Sequence, residues 1–148
     1  MSNPERLNKV LSLIRSAETR ADRIQILVAI AQRYCGVPEH VATPPYAPEH
    51  EVPGCESRVF WFTEPRPDGT LDYHYAVENP HGISAKALAV ILHEALSGAP
   101  LEQVAAISTD VVYEIFGSDI SMGKSMGLQG MVGVSAAAAR QTLSARPK

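Results

Sequence analysis

Two stretches, Arg58-Val-Phe-Trp-Phe-Thr63 and Thr70-Leu-Asp-Tyr-His-Tyr-Ala-Val-Glu78, decide the fold of this chain. The first is rich in β-branched and aromatic residues, which favour a strand. The second alternates apolar and other residues, a pattern typical of a strand with one buried face and one face in water. The intervening Pro65-Arg-Pro-Asp-Gly69 has the residue types of a turn. We therefore predict an antiparallel hairpin whose wet face carries Asp72, His74, Ala76 and Glu78.

Apolar residues recur at helical spacing before the hairpin. Residues 2–4 (Ser-Asn-Pro) are typical of a helix start, and an apolar stripe follows. A second stripe leads to Tyr34, with Gly36 as the expected stop. We predict two helices that pack as an antiparallel pair. Their stripes are Leu7, Val10, Leu11 and Ile14, then Ile24, Leu27, Val28 and Ala31.

Further helices are predicted after the hairpin. Ser84 is the expected cap of a third helix, with Ile83 and Leu88 at the positions of a hydrophobic staple. Shorter helices are predicted from Pro100 and over 111–116. The glycines from 117 onwards indicate a loose loop, and an Ala-rich helix extends to about residue 143. Helices from both ends of the chain around a small antiparallel sheet give the α+β class.

The composition of the 148 residues excludes several classes of protein. The length is that of one domain, which we expect to span 1–148. Lys and Arg number 13 and Asp and Glu 16, for a net charge of −3, which argues against a nucleic-acid partner. The apolar runs are shorter than the ~20 residues that cross a bilayer, so no membrane association is expected. The start of the chain does not resemble a signal peptide, and a cytoplasmic protein is expected.

A long proline-rich loop is predicted over residues 36–53. It contains five prolines and shows no hydrophobic period. Loops of this length in compact domains are usually either functional or disordered.

The segment Val52-Pro-Gly-Cys-Glu-Ser-Arg-Val59 is the strongest candidate for chemistry. Cys55 lies between the proline-rich loop and the first strand, and Gly54 beside it allows close approach of a large partner. A reactive cysteine must form the thiolate, which a positive neighbour such as Arg58 favours and the adjacent Glu56 disfavours. The alternative is a buried cysteine that acts as a small hydrophobic residue.

Two rival sites can be drawn from the sequence. Cys35, His40, His50 and Cys55 are metal-ligand types within one irregular region, although their spacing matches no established ligand pattern. Gly117 to Ser125 resembles a phosphate-binding loop, but five residues rather than four separate its first two glycines.

Three stretches in order along the chain resemble the SufE family of sulfur-acceptor proteins. Gly54, Cys55, Ser57, Val59 and Phe60 fill the family's Gly-Cys-x-Ser-x-Val-aromatic segment. The segments 86–92 and 100–104 resemble its central helix and the short helix after it, and 124–131 resembles its C-terminal region. The chain departs from the family with Phe60 where Trp is usual and with Lys124 where Arg is usual, which removes a planar, bidentate donor.

The resemblance implies a SufE/IscU-like α+β fold and a sulfur-relay function. Cys55 would take persulfide sulfur from a SufS-type cysteine desulfurase, stimulate that enzyme and feed a downstream iron–sulfur scaffold. The pyridoxal phosphate would belong to the desulfurase, so this chain needs no cofactor or metal and is not a stand-alone enzyme. The implied partner surface comprises Gly54, Glu56, Ser57, Arg58, Lys124 and Gly127.

The alternative function is an IscU-like metal or iron–sulfur cluster carrier that uses Cys55, Cys35 and the loop histidines. Such a scaffold needs about three thiolates and a further ligand. Two cysteines favour a relay over a scaffold.

Overall fold

The computed structural model describes residues 2–147 and confirms the α+β class. Helices precede and follow a two-stranded antiparallel sheet. The strands are β1 (Val59–Pro65) and β2 (Leu71–Val77). The helices are α1 (Glu5–Arg15), α2 (Arg20–Ala31), α3 (Ile83–Leu96), α4 (Leu101–Ala105), α5 (Val111–Phe116) and α6 (Met122–Ser144), and a single 3₁₀ turn covers Pro48–His50.

The hairpin forms as predicted, with Val59 opposite Val77 and Pro65 opposite Leu71. The inner-facing side chains of β2 are buried against α3, and α6 packs on β1. This face and the helices enclose the main core. The two strands therefore form a rigid platform, and the chain enters that platform at Val59, four residues after Cys55.

The prediction that one face of the hairpin lies in water is wrong for the central residues of that face, because the proline-rich loop covers them. His74 and Ala76 are buried, and Ala76 clusters with two phenylalanines of β1. The ring of Tyr46 lies 5.2 Å from that of Phe60 and 5.5 Å from that of Phe62. The loop is thus an apolar cover on the sheet, which explains its length.

The first two helices do not form the predicted pair; each packs mainly on α3. Helix α3 is apolar on most of its surface and can therefore bury both neighbours. Helix α2 ends at Ala31 rather than near Tyr34, and it buries Leu27, Ile30 and Ala31. Ile24 and Val28, which we expected inside, are 50% and 38% exposed.

Helix α3 begins earlier than predicted, so Ser84 is not its cap. The cap position is Gly82, whose carbonyl accepts a hydrogen bond from the Lys86 N–H. Ile83 is 45% exposed, so the predicted hydrophobic staple does not form. The first turn of the helix instead faces the region of Cys55.

The loose loop predicted from residue 117 onwards extends only as far as residue 121. Residues 122–144 form one continuous helix, which Ser121 caps by accepting a hydrogen bond from the Lys124 N–H. Glycine normally costs a helix about 1 kcal/mol relative to alanine. Three of the four glycines inside α6, Gly123, Gly127 and Gly130, have a reason in the packing, because each lies against the segment that contains Cys55.

Within residues 2–147, no helix combines the length and apolar character needed to cross a bilayer.

Candidate functional site

Cys55 lies in a compact loop, residues 53–58, that is closed at its base by the hairpin. The Val52 N–H donates a hydrogen bond to the Val59 carbonyl at 2.8 Å, and Glu51 forms an isolated antiparallel β-bridge with Phe60. Within the loop the Arg58 N–H donates to the Cys55 carbonyl at 3.2 Å. Gly54 has a φ of +73°, which glycine adopts without strain. The loop is therefore a defined turn on a rigid base. We call it the Cys55 loop.

The Cys55 loop packs directly on a glycine face of α6. A Cβ at Gly127 would lie 2.8 Å from the Cα of Cys55 and 3.2 Å from its Sγ. A Cβ at Gly130 would lie 2.9 Å from the Pro53 carbonyl oxygen, and one at Gly123 would lie 2.9 Å from a Glu56 carboxylate oxygen. These glycines recur at i, i+4 and i+7, which places them on one side of the helix. Their absent side chains make room for the loop backbone.

Beside Cys55 lies a cleft of about 410 Å³ between the first turns of α3 and α6. Helix N-termini carry unsatisfied N–H groups and partial positive charge, which favour an anion. The side chains of Ile83, Met122 and Met126 are exposed at these two helix starts. The cleft is lined by Cys55, Glu56, Ser57, Asn79, His81, Gly82, Ile83, Ser84, Ala85, Gly123, Lys124, Gly127 and Leu128.

Five of the seven predicted site residues meet at this cleft. They include Lys124 and Gly127, which are about seventy positions away from Cys55 in the sequence. Gly54 lines a shallow groove on the neighbouring side of Cys55. Arg58 is not part of the cleft lining; its guanidinium faces Glu51 at 3.5 Å and Glu78 at 3.8 Å.

Burial is the main influence on the Cys55 thiol and raises its pKa above the usual value. Hydrogen bonding from the backbone of Ser57 and Val59 opposes this by favouring the thiolate. The carboxylate of Glu56 raises the pKa further, as expected from the sequence, and so does Glu51. Arg58, which we expected to lower the pKa, instead pairs with carboxylates. In the free protein, the surroundings of the half-buried Cys55 therefore disfavour the thiolate.

Sequence reasoning missed several residues of the site. Gly123 and Gly130 were assigned to a loose loop, although the i, i+4, i+7 spacing of three glycines is the signal of a close helix contact. Gly82 is not among the predicted site residues, yet a Cβ there would lie 2.8 Å from the Ser57 Oγ. His81 was assigned no role, and it lines the cleft.

The four metal-ligand candidates lie apart. Within residues 2–147, no three of Cys35, His40, His50 and Cys55 bring ligand atoms within 4.8 Å of one another. Cys35 is exposed beside a separate cavity of about 170 Å³. The His50 Nδ1 contacts the Trp61 carbonyl oxygen at 3.0 Å. Residues 111–116 form helix α5 rather than the strand that precedes a phosphate-binding loop, so the phosphate-loop interpretation is wrong.

Comparisons with known proteins agree with this architecture. A solved structure described as a hypothetical protein from Thermus thermophilus has a TM-score of 0.73 and 22% sequence identity, covering 97% of this chain and 99% of that chain. This similarity shows the fold. None of the curated proteins compared with the chain matches it. The sequence model of the SufE family, described as an Fe-S metabolism associated domain, matches residues 8–139 and supports a role in iron–sulfur metabolism. The chain belongs to the SufE family.

Proposed function

We propose that this protein accepts sulfur on Cys55 from the persulfide of a SufS-type cysteine desulfurase and passes it on to iron–sulfur cluster assembly. Family membership supports the role in iron–sulfur metabolism. The observation that carries the finer proposal is the position of Cys55, a free thiol at the side of a cleft formed by two helix N-termini. Two unpaired cysteines also suit a reducing compartment such as the cytoplasm.

The transfer step is a thiol exchange. The Cys55 thiolate attacks the outer sulfur of the donor persulfide, forming a new S–S bond as the donor's S–S bond breaks. The donor cysteine leaves as a thiolate and recovers the proton that Cys55 gave up. The sulfur keeps its oxidation level, so no external oxidant or reductant is needed. The pyridoxal phosphate that generates the persulfide would belong to the donor enzyme.

Two features of the cleft support this step, although burial and the carboxylate of Glu56 oppose the thiolate in the free protein. Negative charge passes from the Cys55 Sγ to the donor sulfur while both lie near the first turns of α3 and α6. Those turns stabilise an anion by about 0.3–1 kcal/mol each at exposed sites. Lys124 on the cleft adds a positive charge. Because burial raises the pKa of Cys55, the thiol is poorly reactive until the partner's groups enter the cleft.

The partner surface follows from the same geometry. Glu56, Ser57 and Lys124 line the cleft beside Cys55, and Gly54 lies on the shallow groove at the other side of the Cys55 loop. Gly127 lines the same cleft and allows the loop to approach α6. Arg58 is exposed on the far side of the loop and extends the surface there.

Incubation with a SufS-type desulfurase and free cysteine tests the proposal. Intact-mass spectrometry under non-reducing conditions is expected to show the addition of sulfur, which dithiothreitol removes. Cys55→Ser is expected to abolish the addition. Cys35→Ser is the matched control, because Cys35 is the more exposed thiol and lies outside the cleft. Addition that survives in Cys55→Ser and disappears in Cys35→Ser would overturn the proposal.

A further inference from the structure

A second cluster of reactive side chains lies at the opposite end of the hairpin from Cys55. Glu64 is five residues along β1 from Val59, a distance of about 17 Å at 3.3–3.4 Å per residue. Asp72 lies directly across from it on β2. His74 stands two residues further along the same face, opposite Phe62. The strand period of two therefore places two carboxylates and an imidazole on one face.

The nitrogen and oxygen atoms of this cluster converge. The His74 Nε2 lies 2.8 Å from Glu64 Oε1, and the His40 Nε2 lies 2.9 Å from Glu64 Oε2. Ligand atoms of Glu64, Asp72 and His74 all lie within 4.8 Å of one another. The proline-rich loop brings His40 to the cluster from outside the sheet. Two imidazoles thus face a single carboxylate from two different parts of the chain.

Burial and charge suit this cluster to a cation. The side chain of His74 is only 7% exposed, so its ring is held by the packing around it, whereas that of His40 is 68% exposed and can move. Two carboxylates lie beside one guanidinium, that of Arg66, whose Nη1 lies 2.7 Å from Asp72 Oδ1. With both imidazoles neutral, the cluster carries net negative charge. A set of imidazole and carboxylate ligands matches the preferences of Zn²⁺.

The geometry points to a Zn²⁺ site formed by Glu64, Asp72 and His74, with His40, which contacts Glu64 from the proline-rich loop, as a further ligand. Zinc–ligand distances of about 2.0–2.2 Å require the side chains to contract around the ion, mainly by a turn of the exposed His40. The bound ion would join the proline-rich loop to the hairpin at a point remote from the cleft. The site shares no ligand with the proposed sulfur transfer, so each can fail without the other.

Metal titration of the purified, metal-free chain tests the site. Zn²⁺ is titrated by calorimetry, and Co²⁺ serves as a spectroscopic probe because its visible spectrum distinguishes nitrogen and oxygen ligands from thiolates. The variants are His40→Ala, which changes an exposed side chain, and Glu64→Gln, which preserves shape. The matched control is His81→Ala, an exposed histidine outside the cluster. The double variant Cys35→Ser/Cys55→Ser removes both thiols.

We expect one Zn²⁺ per chain, with affinity reduced at least about tenfold in His40→Ala and in Glu64→Gln. His81→Ala and the double cysteine variant should bind as the parent does, and a given Zn²⁺ concentration should raise the Tm of the parent more than that of Glu64→Gln. Three results would each overturn the site: no binding at micromolar Zn²⁺, binding unchanged in His40→Ala and Glu64→Gln, or Co²⁺ bands from thiolate ligands that vanish with the cysteines. Circular dichroism of each variant verifies that it is folded.

Discussion

Replacing Gly127 with alanine tests whether the Cys55 loop really rests on α6. In an unobstructed helix interior, Gly→Ala stabilises a protein by about 0.8–1 kcal/mol through helix propensity. At Gly127 the new Cβ would lie 2.8 Å from the Cα of Cys55. A backbone atom cannot rotate away as a side chain can, and overpacking of this kind costs about 1–3 kcal/mol. The variant is therefore expected to be neutral to about 2 kcal/mol less stable than the parent.

Gly133→Ala is the matched control because it lies in the same helix with nothing within 4 Å of a Cβ. Gly133→Ala should gain the full increase in unfolding free energy of about 0.8–1 kcal/mol that helix propensity provides. The difference in unfolding free energy between the two variants removes that shared term and leaves the overpacking cost of about 1–3 kcal/mol. Urea denaturation measures it directly, and thermal melting should show about 2–4 °C in Tm for each kcal/mol.

The same substitution should change the reactivity of Cys55. Displacing the loop from α6 exposes the thiol and relieves the burial that raises its pKa. Alkylation of Gly127→Ala by iodoacetamide near neutral pH is therefore expected to be faster than that of Gly133→Ala, with Cys35→Ser as the common background. If both variants gain the same stability and are alkylated at the same rate, the contact between the loop and α6 is refuted.

Two more predictions concern the same loop. Arg58 has a φ of +50°, which costs an L-residue about 1–2 kcal/mol, whereas its two exposed ion pairs are each worth about 0–1 kcal/mol. Arg58→Gly should therefore be more stable than Arg58→Val by about 1–2 kcal/mol in urea denaturation; equal stability would contradict a left-handed residue there. Folding raises the pKa of Cys55, so the folded state binds the thiol proton more tightly than the unfolded state does. The resulting contribution to stability is fully present below the unfolded pKa of about 8.5 and is lost as the pH rises toward the folded pKa. Denaturation from about pH 7 to 10 should show a steeper loss for the parent than for Cys55→Ser, and parallel curves would contradict the raised pKa.

The hairpin could be predicted from the sequence because its signal is local. β-Branched and aromatic residues in the first strand, alternation at period two in the second and a turn-rich connection define the hairpin within twenty-one residues. Helix α5 was likewise predicted at its observed bounds. The prediction failed for the exposure of the two faces of the hairpin. His74 is buried by a loop thirty residues earlier, and no local pattern encodes which distant segment will cover a sheet.

In the helices, too, local sequence patterns were predictive, whereas the tertiary contacts could not be predicted. The buried stripe of α1 was predicted almost completely, whereas Ile24 and Val28 of α2 are exposed because α3 meets that helix from a different side. Gly123, Gly127 and Gly130 disfavour a helix by propensity alone, and tertiary contact with the Cys55 loop overrides that propensity. Periodicity identifies an apolar stripe but does not identify its partner.

Part of the candidate site could likewise be predicted from the sequence, and part of it could not. Cys55, Glu56 and Ser57 could be found because they are contiguous, and Lys124 and Gly127 because of the family resemblance. Arg58 adjoins them in sequence, but its left-handed backbone turns the side chain towards Glu51 and Glu78. Gly82 and His81 come to the cleft because α3 begins at Ile83, one residue before the expected serine cap.

The most direct test of the account is to locate the transferred sulfur after a single turnover of the desulfurase. Rapid alkylation of the persulfide, proteolysis and peptide mass spectrometry assign it to a residue. The account predicts that the labelled peptide contains Cys55 and that the peptide containing Cys35 is alkylated only as a plain thiol. Persulfide on Cys35 with an unmodified Cys55, or no persulfide on either while the desulfurase is turning over, would contradict it.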